Sequence, residues 1–404
     1  MVFCKTPAKE TIMEKFERIK EERVHKPPLW EPSGNMCSDI RAMLYCSELV
    51  YAFAVLRELA RENDMEKEYL IGIAPGNAEE RLKILSEGIK DKITTKDIVD
   101  FVQSNLKRLE GVSRICSDLF VETLLDMGKM ENAYIVKFDA HRAGSTFVYG
   151  IYVNHDLKRI SLSFRGTAEM GDWGANLKYF KEPLNPSDSL LELGFDENKK
   201  IRVHGGFKEY LMGSHPSHDC KYKDIKGELV ELYTSGECNG YDLIVTGHSL
   251  GGALSTLMSF QLASSGTISK HLGNKPLVNI SFASPYVGGE VFGEAFKMLE
   301  KAGKLQHIRV SNENDIVPVL VAMPDFRHVG INLHLDDAKD YALEYQGKRS
   351  LWWQWTPFFP WLANLSNHGL EEYDTRFKKV KTAIRHMTIN DVYGNSSITK
   401  DFIE

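Results

Sequence analysis

Ser249 stands in Gly247-His248-Ser249-Leu250-Gly251, directly after a run, Asp242–Thr246, whose centre Leu243-Ile244-Val245 is apolar without alternation. A short unalternating apolar run suits a strand buried on both faces. The residues after the serine, Leu250, Gly252 and Ala253, suit a helix. A serine at a sharp strand-to-helix turn is the setting of a nucleophile elbow. The turn holds the serine in a strained conformation with its hydroxyl presented to substrate, and side chains at 247 and 251 would collide across it. The helix N-terminus beneath Ser249 favours negative charge developing there. The chemistry expected is nucleophilic attack by Ser249 on an acyl carbon.

A serine hydroxyl needs a base to take its proton and an acid to orient that base. In elbow enzymes the chain order is serine, acid, histidine, so both partners lie downstream. Asp315 follows the strand-like His307–Val310, within Ser311-Asn312-Glu313-Asn314-Asp315-Ile316-Val317-Pro318. Strand ends are where the active-site loops of open sheets gather. Asp325, Asp336 and Asp337 are rivals, but none closes a predicted strand. Four histidines are candidates for the base. His368, in Asn367-His368-Gly369 ahead of a helix carrying Tyr373, is the best placed. His386 reads as a surface residue of a basic C-terminal helix, and His328 and His334 as strand or loop residues. Spacing alone leaves the choice among them open.

The elements that must position these residues show two grammars. Up to about residue 130 the chain reads as helical. Residues 11–24 are rich in Glu, Lys and Arg, residues 38–62 carry apolar side chains on a mostly helical period, and Asn77 with Glu80 and Thr94 with Asp97 resemble helix starts. No catalytic constellation is visible there. From about 133 the pattern becomes strand, helix, strand. Ala133–Phe138, Thr146–Val153, Lys158–Phe164, Val278–Phe282 and His307–Val310 read as strands, with a turn at Asn154-His155-Asp156 and Ile160, Leu162 and Phe164 alternating against polar neighbours. Helices are expected at about 207–235, 250–264 and 289–303. Alternation of this kind predicts an α/β sheet with helices on its faces.

The net charge is −6, from 50 basic and 56 acidic residues, which argues against a nucleic-acid partner. None of the six cysteines falls in a C-x-x-C pair, so a metal knuckle is not expected. The opening residues lack the apolar run of a signal peptide, and the longest apolar stretch nearby, Leu49–Leu56, is too short to span a bilayer. The expectation is a cytoplasmic protein with reduced thiols, peripheral on membranes or lipid droplets where it meets them.

Six motifs occur in order along the chain. Phe164-Arg165-Gly166-Thr167 with Asp172-Trp173 comes first, then Val203-His204-Gly205-Gly206-Phe207, then Gly247 to Gly252. Ser284-Pro285-Tyr286-Val287-Gly288, Asn312 to Pro318, and His368 with Tyr373 follow. Together, over about 133–385, they resemble the class 3 lipases, the fungal-lipase-like branch of the α/β-hydrolase fold. The resemblance implies an α/β-hydrolase fold with a mostly parallel central sheet and helices on both faces. Residues 131–404 would form the lipase domain, and residues 1–130 a helical region that covers or regulates it. The resemblance also implies Ser249, Asp315 and His368 as the triad, with the backbone N–H groups of Thr167 and Leu250 as the oxyanion hole. The His204-Gly205-Gly206 stretch, which could be taken for another oxyanion loop, is structural in that family.

The resemblance further implies a lid over about 168–180, in which Met170 and Trp173 meet lipid; Gly171 and Gly174 would loosen it. Local to this chain is the aromatic window 351–362, which holds four of the six tryptophans. There Trp352, Trp353, Trp355, Phe358 and Phe359 suit an acyl-chain wall or a membrane-interface contact. The activity implied is serine-dependent hydrolysis of carboxylic esters in acylglycerols or other acyl lipids at a membrane or droplet interface, through an acyl-enzyme and with no metal or cofactor. Two other readings stand beside it. One is an esterase of non-lipid esters, like the feruloyl esterases; the other is a lipase-like binding or signalling scaffold with the N-terminal helices as its interface, their partner unknown.

Overall fold

Leu243, Ile244 and Val245 lie buried in the middle of an eight-stranded sheet in the computed structural model of the chain. The structure describes residues 10–24, 34–62, 95–104, 117–130, 132–139, 147–167, 180–213, 220–321, 324–336, 340–345 and 365–399. Helices α1 (Ile12–Arg23), α2 (Met36–Glu62), α3 (Thr95–Ser104) and α4 (Asp118–Met127) precede strands β1 (Ala133–Asp139), β2 (Tyr149–Asn154) and β3 (Arg159–Phe164). Next come β4 (Lys181–Leu184), α5 (Asp188–Glu192), β5 (Ile201–His204), α6 (Gly205–Met212) and α7 (Lys221–Thr234). The central units are β6 (Asp242–His248), α8 (Leu250–Ala263), α9 (Gly266–Leu272), β7 (Leu277–Phe282), β8 (Gly288–Gly289), α10 (Glu290–Lys301) and β9 (Leu305–Asn312). The chain closes with β10 (Phe326–Arg327), β11 (Ile331–Leu335), β12 (Tyr341–Tyr345), α11 (Leu370–Ile384) and α12 (Ile389–Gly394).

The large sheet has the order β1-β2-β3-β6-β7-β9-β11-β12. Neighbours from β3 to β11 run parallel, while β1, β2 and β12 add antiparallel edges. Apolar side chains of both sheet faces enter separate cores. Ile160, Leu162, Phe164, Leu243 and Val245 pack among α6 to α10, and Ile244, Ile280, Phe282, Ile308 and Val310 pack among α1, α2, α4 and α11. Each fully buried side chain of this kind contributes about 1.5–3 kcal/mol relative to exposure. The sheet is mostly parallel with helices on both faces, the arrangement that the resemblance implies. Register sets the strand ends level: Phe164 pairs with Gly247, His248 with Phe282, and Phe282 with Val310. The loops that leave β3, β6 and β9 therefore open at one edge of the sheet, as expected for a site on parallel strands.

Several local readings change. The polar neighbours in the alternating strand β3 are buried as well. Ser161 and Ser163 are buried beneath α2, and the Ser163 hydroxyl donates to the Cys46 carbonyl at 3.0 Å. Small hydroxyls let the helix come close while satisfying its backbone. The helix expected over 207–235 is two helices, because Gly213 leaves helical geometry and Pro216 follows in the sequence. A second, antiparallel sheet of order β10-β8-β5-β4 was not legible, since its two- to four-residue strands are too short to show a period. Strand β11 was missed as well, and Asp336 does close it. Among the described residues, no helix is long and apolar enough to cross a membrane.

One buried acid makes stability depend on pH. Glu300 of α10 is enclosed and accepts hydrogen bonds from the hydroxyls of Tyr345 (2.7 Å) and Tyr393 (2.6 Å). Burial pushes its pKa up from 4.5 to about 7, and the two hydroxyl bonds hold it from going higher. Between those values the folded chain keeps a proton that the unfolded chain has released. The stabilisation is therefore full below 4.5 and lost as pH rises through 7. The difference corresponds to about 3 kcal/mol. Urea unfolding of wild type and Glu300→Gln at pH 5 and pH 8 checks this. Wild type should lose about that much relative to the variant on going to pH 8, whereas parallel pH dependence of the two proteins contradicts it.

Candidate active site

Ser249 stands at a sharp strand-to-helix turn. Ser249 joins β6 to α8 at φ 62° and ψ −126°, a left-handed-side conformation that side chains rarely adopt. Such a residue carries on the order of 1–3 kcal/mol of strain. A Cβ at Gly247 would lie 2.3 Å from the Gly251 carbonyl oxygen, and one at Gly251 would lie 2.2 Å from the Phe164 carbonyl oxygen. Glycine at 247 thus lets the turn close on itself, whereas glycine at 251 lets the start of α8 sit against the end of β3 rather than clearing the turn as expected. The Ser249 N–H donates to Phe282 of β7 at 2.9 Å, which ties the serine to the neighbouring strand.

His368 ends a short 3-10 turn, Leu365–His368, ahead of α11. Its Nδ1 lies 3.1 and 3.0 Å from the two carboxylate oxygens of Asp315, in the loop after β9. The carboxylate only accepts, so Nδ1 carries the proton and Nε2 is left as the basic nitrogen. The Asp315 side chain is wholly buried. It accepts two further hydrogen bonds, from the Tyr373 hydroxyl at 2.7 Å and from the Val317 N–H at 3.0 Å. Three donors offset the cost of removing that carboxyl from water.

The two loops are held by α11. Arg376, only 1% exposed, donates to the Glu313 carbonyl at 3.1 Å and to Asn367 Oδ1 at 3.0 Å. One guanidinium thus spans the segment carrying Asp315 and the segment carrying His368. Its Nε pairs with Glu372 at 2.7 Å. Asn312 adds a side-chain bond to the Asn367 carbonyl at 3.0 Å.

Thr167 comes three residues after the end of β3 and lines the same cavity, of about 580 Å³, as Ser249, His248 and His368. The Ser249 Oγ, His368 Nε2 and Thr167 Oγ1 are buried polar atoms without a hydrogen-bond partner among the described residues. Leu250 opens α8, where first-turn N–H groups have no intrahelical acceptor. Ser249, His368, Asp315 and Thr167 are therefore brought together, with Leu250 beside them. Met170, Trp173, Trp352, Trp353, Trp355, Phe358 and Phe359 lie outside the described residues.

The rival histidines are elsewhere. His204 is buried at the start of α6, accepts from the Phe207 N–H at 3.4 Å, and packs against the Phe207 ring at a 40° tilt with centroids 4.3 Å apart. Burial pushes its pKa down to about 4. His328 stacks on Tyr286 at 3.8 Å and bonds the Pro318 carbonyl, and His334 lies on β11 beside Ser311. His386 sits exposed just past the end of α11 rather than within it. Of the rival acids, Asp325 pairs with Lys181, and Asp336 accepts from the Asp340 N–H at 2.9 Å. Residues the sequence reading passed over also reach the cavity: Glu48 and Tyr51 of α2, and Ser117 just before α4.

Residues 161–324 match the family model described as Lipase (class 3). Ser249 and Asp315 fall inside that match and His368 beyond it. Among curated proteins, phospholipase A1-II 6 of Oryza sativa subsp. japonica is 28% identical over 202 residues, covering 48% of this chain and 47% of its own. Phospholipase A1-Igamma1, chloroplastic, of Arabidopsis thaliana is 30% identical over 169 residues, 39% of this chain and 30% of its own. The chain spans about half the length of the first of these relatives. Among solved structures, lipase II from Rhizopus niveus overlaps loosely, with a TM-score of 0.45, 20% identity, and 60% of this chain against 82% of that one.

Proposed function

We propose that the chain, whose residues 161–324 match the class 3 lipase model, hydrolyses carboxylic esters of acyl lipids through an acyl-enzyme on Ser249. The observation that carries this is the meeting at one cavity of three buried atoms, Ser249 Oγ, His368 Nε2 and Thr167 Oγ1, that have no partner among the described residues. An unpaired buried polar atom costs about 1–3 kcal/mol. Three at one cavity make sense where a ligand supplies the missing partners.

Ser249 Oγ attacks the ester carbonyl carbon as His368 Nε2 takes its proton. Asp315 fixes the ring and stabilises the cation formed. The carbonyl oxygen, now negative, faces the backbone N–H groups of Thr167 and Leu250, with the Thr167 hydroxyl beside them. The tetrahedral species collapses, the C–O bond breaks, and the alcohol leaves with the proton from His368. Water then attacks the acyl-enzyme by the same path and frees Ser249. The relatives' names, phospholipase A1, point to glycerophospholipids as the substrate class. The lid residues Met170 and Trp173 and the aromatics Trp352, Trp353, Trp355, Phe358 and Phe359 would meet the acyl chain at a membrane or droplet surface.

A chain-length series of nitrophenyl esters, run beside phosphatidylcholine vesicles carrying different acyl groups at the two positions, tests the reading. The expected result is cleavage of long-chain esters and release of the acyl group at the first position. A sharp preference for two-carbon acyl groups, with intact vesicles, contradicts it.

A further inference from the structure

Helix α2 lies outside the segment that matches the family, yet one of its side chains reaches the centre of the site. The Tyr51 hydroxyl accepts a hydrogen bond from the Gly166 N–H at 3.0 Å. It also lies 3.0 Å from His248 Nδ1, while His248 Nε2 lies 2.7 Å from the His368 carbonyl oxygen. A carbonyl only accepts, so Nε2 carries the proton. In the neutral ring Nδ1 is then the acceptor, and the Tyr51 O–H donates to it. The result is one chain of donors running from Gly166 through Tyr51 and His248 to His368, in which each bond polarises the next. All four residues are buried.

The placement of these contacts gives them meaning. Gly166 precedes Thr167, His248 precedes Ser249, and the last link is the backbone of His368 itself. Tyr51 therefore touches the chain beside the oxyanion loop and beside the nucleophile, and through His248 it reaches the base. Its own position is fixed by the docking of α2 on the sheet. Asp39 pairs with Arg159 of β3, and the hydroxyls of Ser47 and Thr246 of β6 lie 3.3 Å apart. A rigid helix thus anchors two loop segments whose separation decides whether a proton and an oxyanion are received in the same step.

We infer that Tyr51 is a positioning residue for the hydrolysis proposed above, on which the inference rests. Its hydroxyl holds the Thr167 loop and His368 in register with Ser249 by way of His248. Residues of the N-terminal helical region then belong to the catalytic apparatus. Misplacement of catalytic groups by about 1 Å costs on the order of a hundredfold in rate.

Tyr51→Phe keeps the ring and its packing and removes only the hydroxyl. Three measurements apply: steady-state hydrolysis, thermal unfolding, and the His248 tautomer by nitrogen-15 NMR. The expected result is a kcat lowered about ten- to a hundredfold, with KM and Tm near those of wild type. His248 should be protonated on Nε2 in wild type and a mixture of tautomers in the variant. Wild-type kcat in Tyr51→Phe overturns the inference while leaving the hydrolase reading intact. A lowered kcat with an unchanged tautomer and a matching drop in Tm assigns Tyr51 to packing and also overturns it. Failure of a fluorophosphonate to label wild type overturns the hydrolase reading, and the inference with it.

Discussion

Ser249→Ala should abolish turnover, lowering kcat for ester hydrolysis on the order of 10⁶-fold, because no other group can form the acyl-enzyme. What survives should be a residual acceleration of about 10³–10⁴ over water, from binding and the oxyanion donors alone. The fold should be untouched. The Ser249 hydroxyl makes no hydrogen bond among the described residues, and alanine meets the same backbone demand at φ 62° as serine does. Thermal unfolding of the variant should match wild type, so lost activity cannot be assigned to lost structure. A variant that keeps a tenth of wild-type kcat contradicts the assignment of the nucleophile.

Asp315→Asn should lower kcat about ten-thousandfold with little change in KM. The buried carboxylate accepts from His368 Nδ1, from the Tyr373 hydroxyl and from the Val317 N–H. An asparagine of the same shape brings an NH₂ group that cannot accept. If the NH₂ faces His368, the ring must accept on Nδ1 and carry its proton on Nε2, where it can no longer take one from Ser249. If the NH₂ faces away, it meets the Tyr373 hydroxyl or the Val317 N–H, and one of those donors loses its acceptor. Steady-state kinetics on a nitrophenyl ester measures the effect, and a loss of less than tenfold contradicts the orienting role of Asp315.

The parts of this site legible in the sequence are those encoded by neighbouring residues. The elbow is written in five positions, because glycine at 247 answers a clash within the turn itself; the need for glycine at 251 comes from the Phe164 carbonyl at the end of β3, which the motif alone does not show. Asp315 was legible as a carboxylate just past a strand. The histidine was not legible from spacing, since His368 and Asp315 are 53 residues apart and meet only when α11 docks; the family resemblance selected it. Arg376 was hidden for a related reason. It sits beside the apolar stripe Leu370, Tyr373, Phe377, Val380 and Ile384 of α11, where a charge looks like a solvated flank. A charged residue next to such a stripe is a signal that could have been weighed. Tyr51 lies within the apolar run Leu49–Leu56, where nothing sets it apart from its neighbours, and its ring is buried. The work of its hydroxyl depends on where α2 meets β6, and nothing in α2 alone encodes that.

The most direct test is labelling with a fluorophosphonate probe, followed by intact mass and peptide mapping. The account predicts one adduct per wild-type chain, on the peptide carrying Ser249, and none on Ser249→Ala. A wild-type protein that stays unlabelled, or a Ser249→Ala protein labelled as well as wild type, contradicts it.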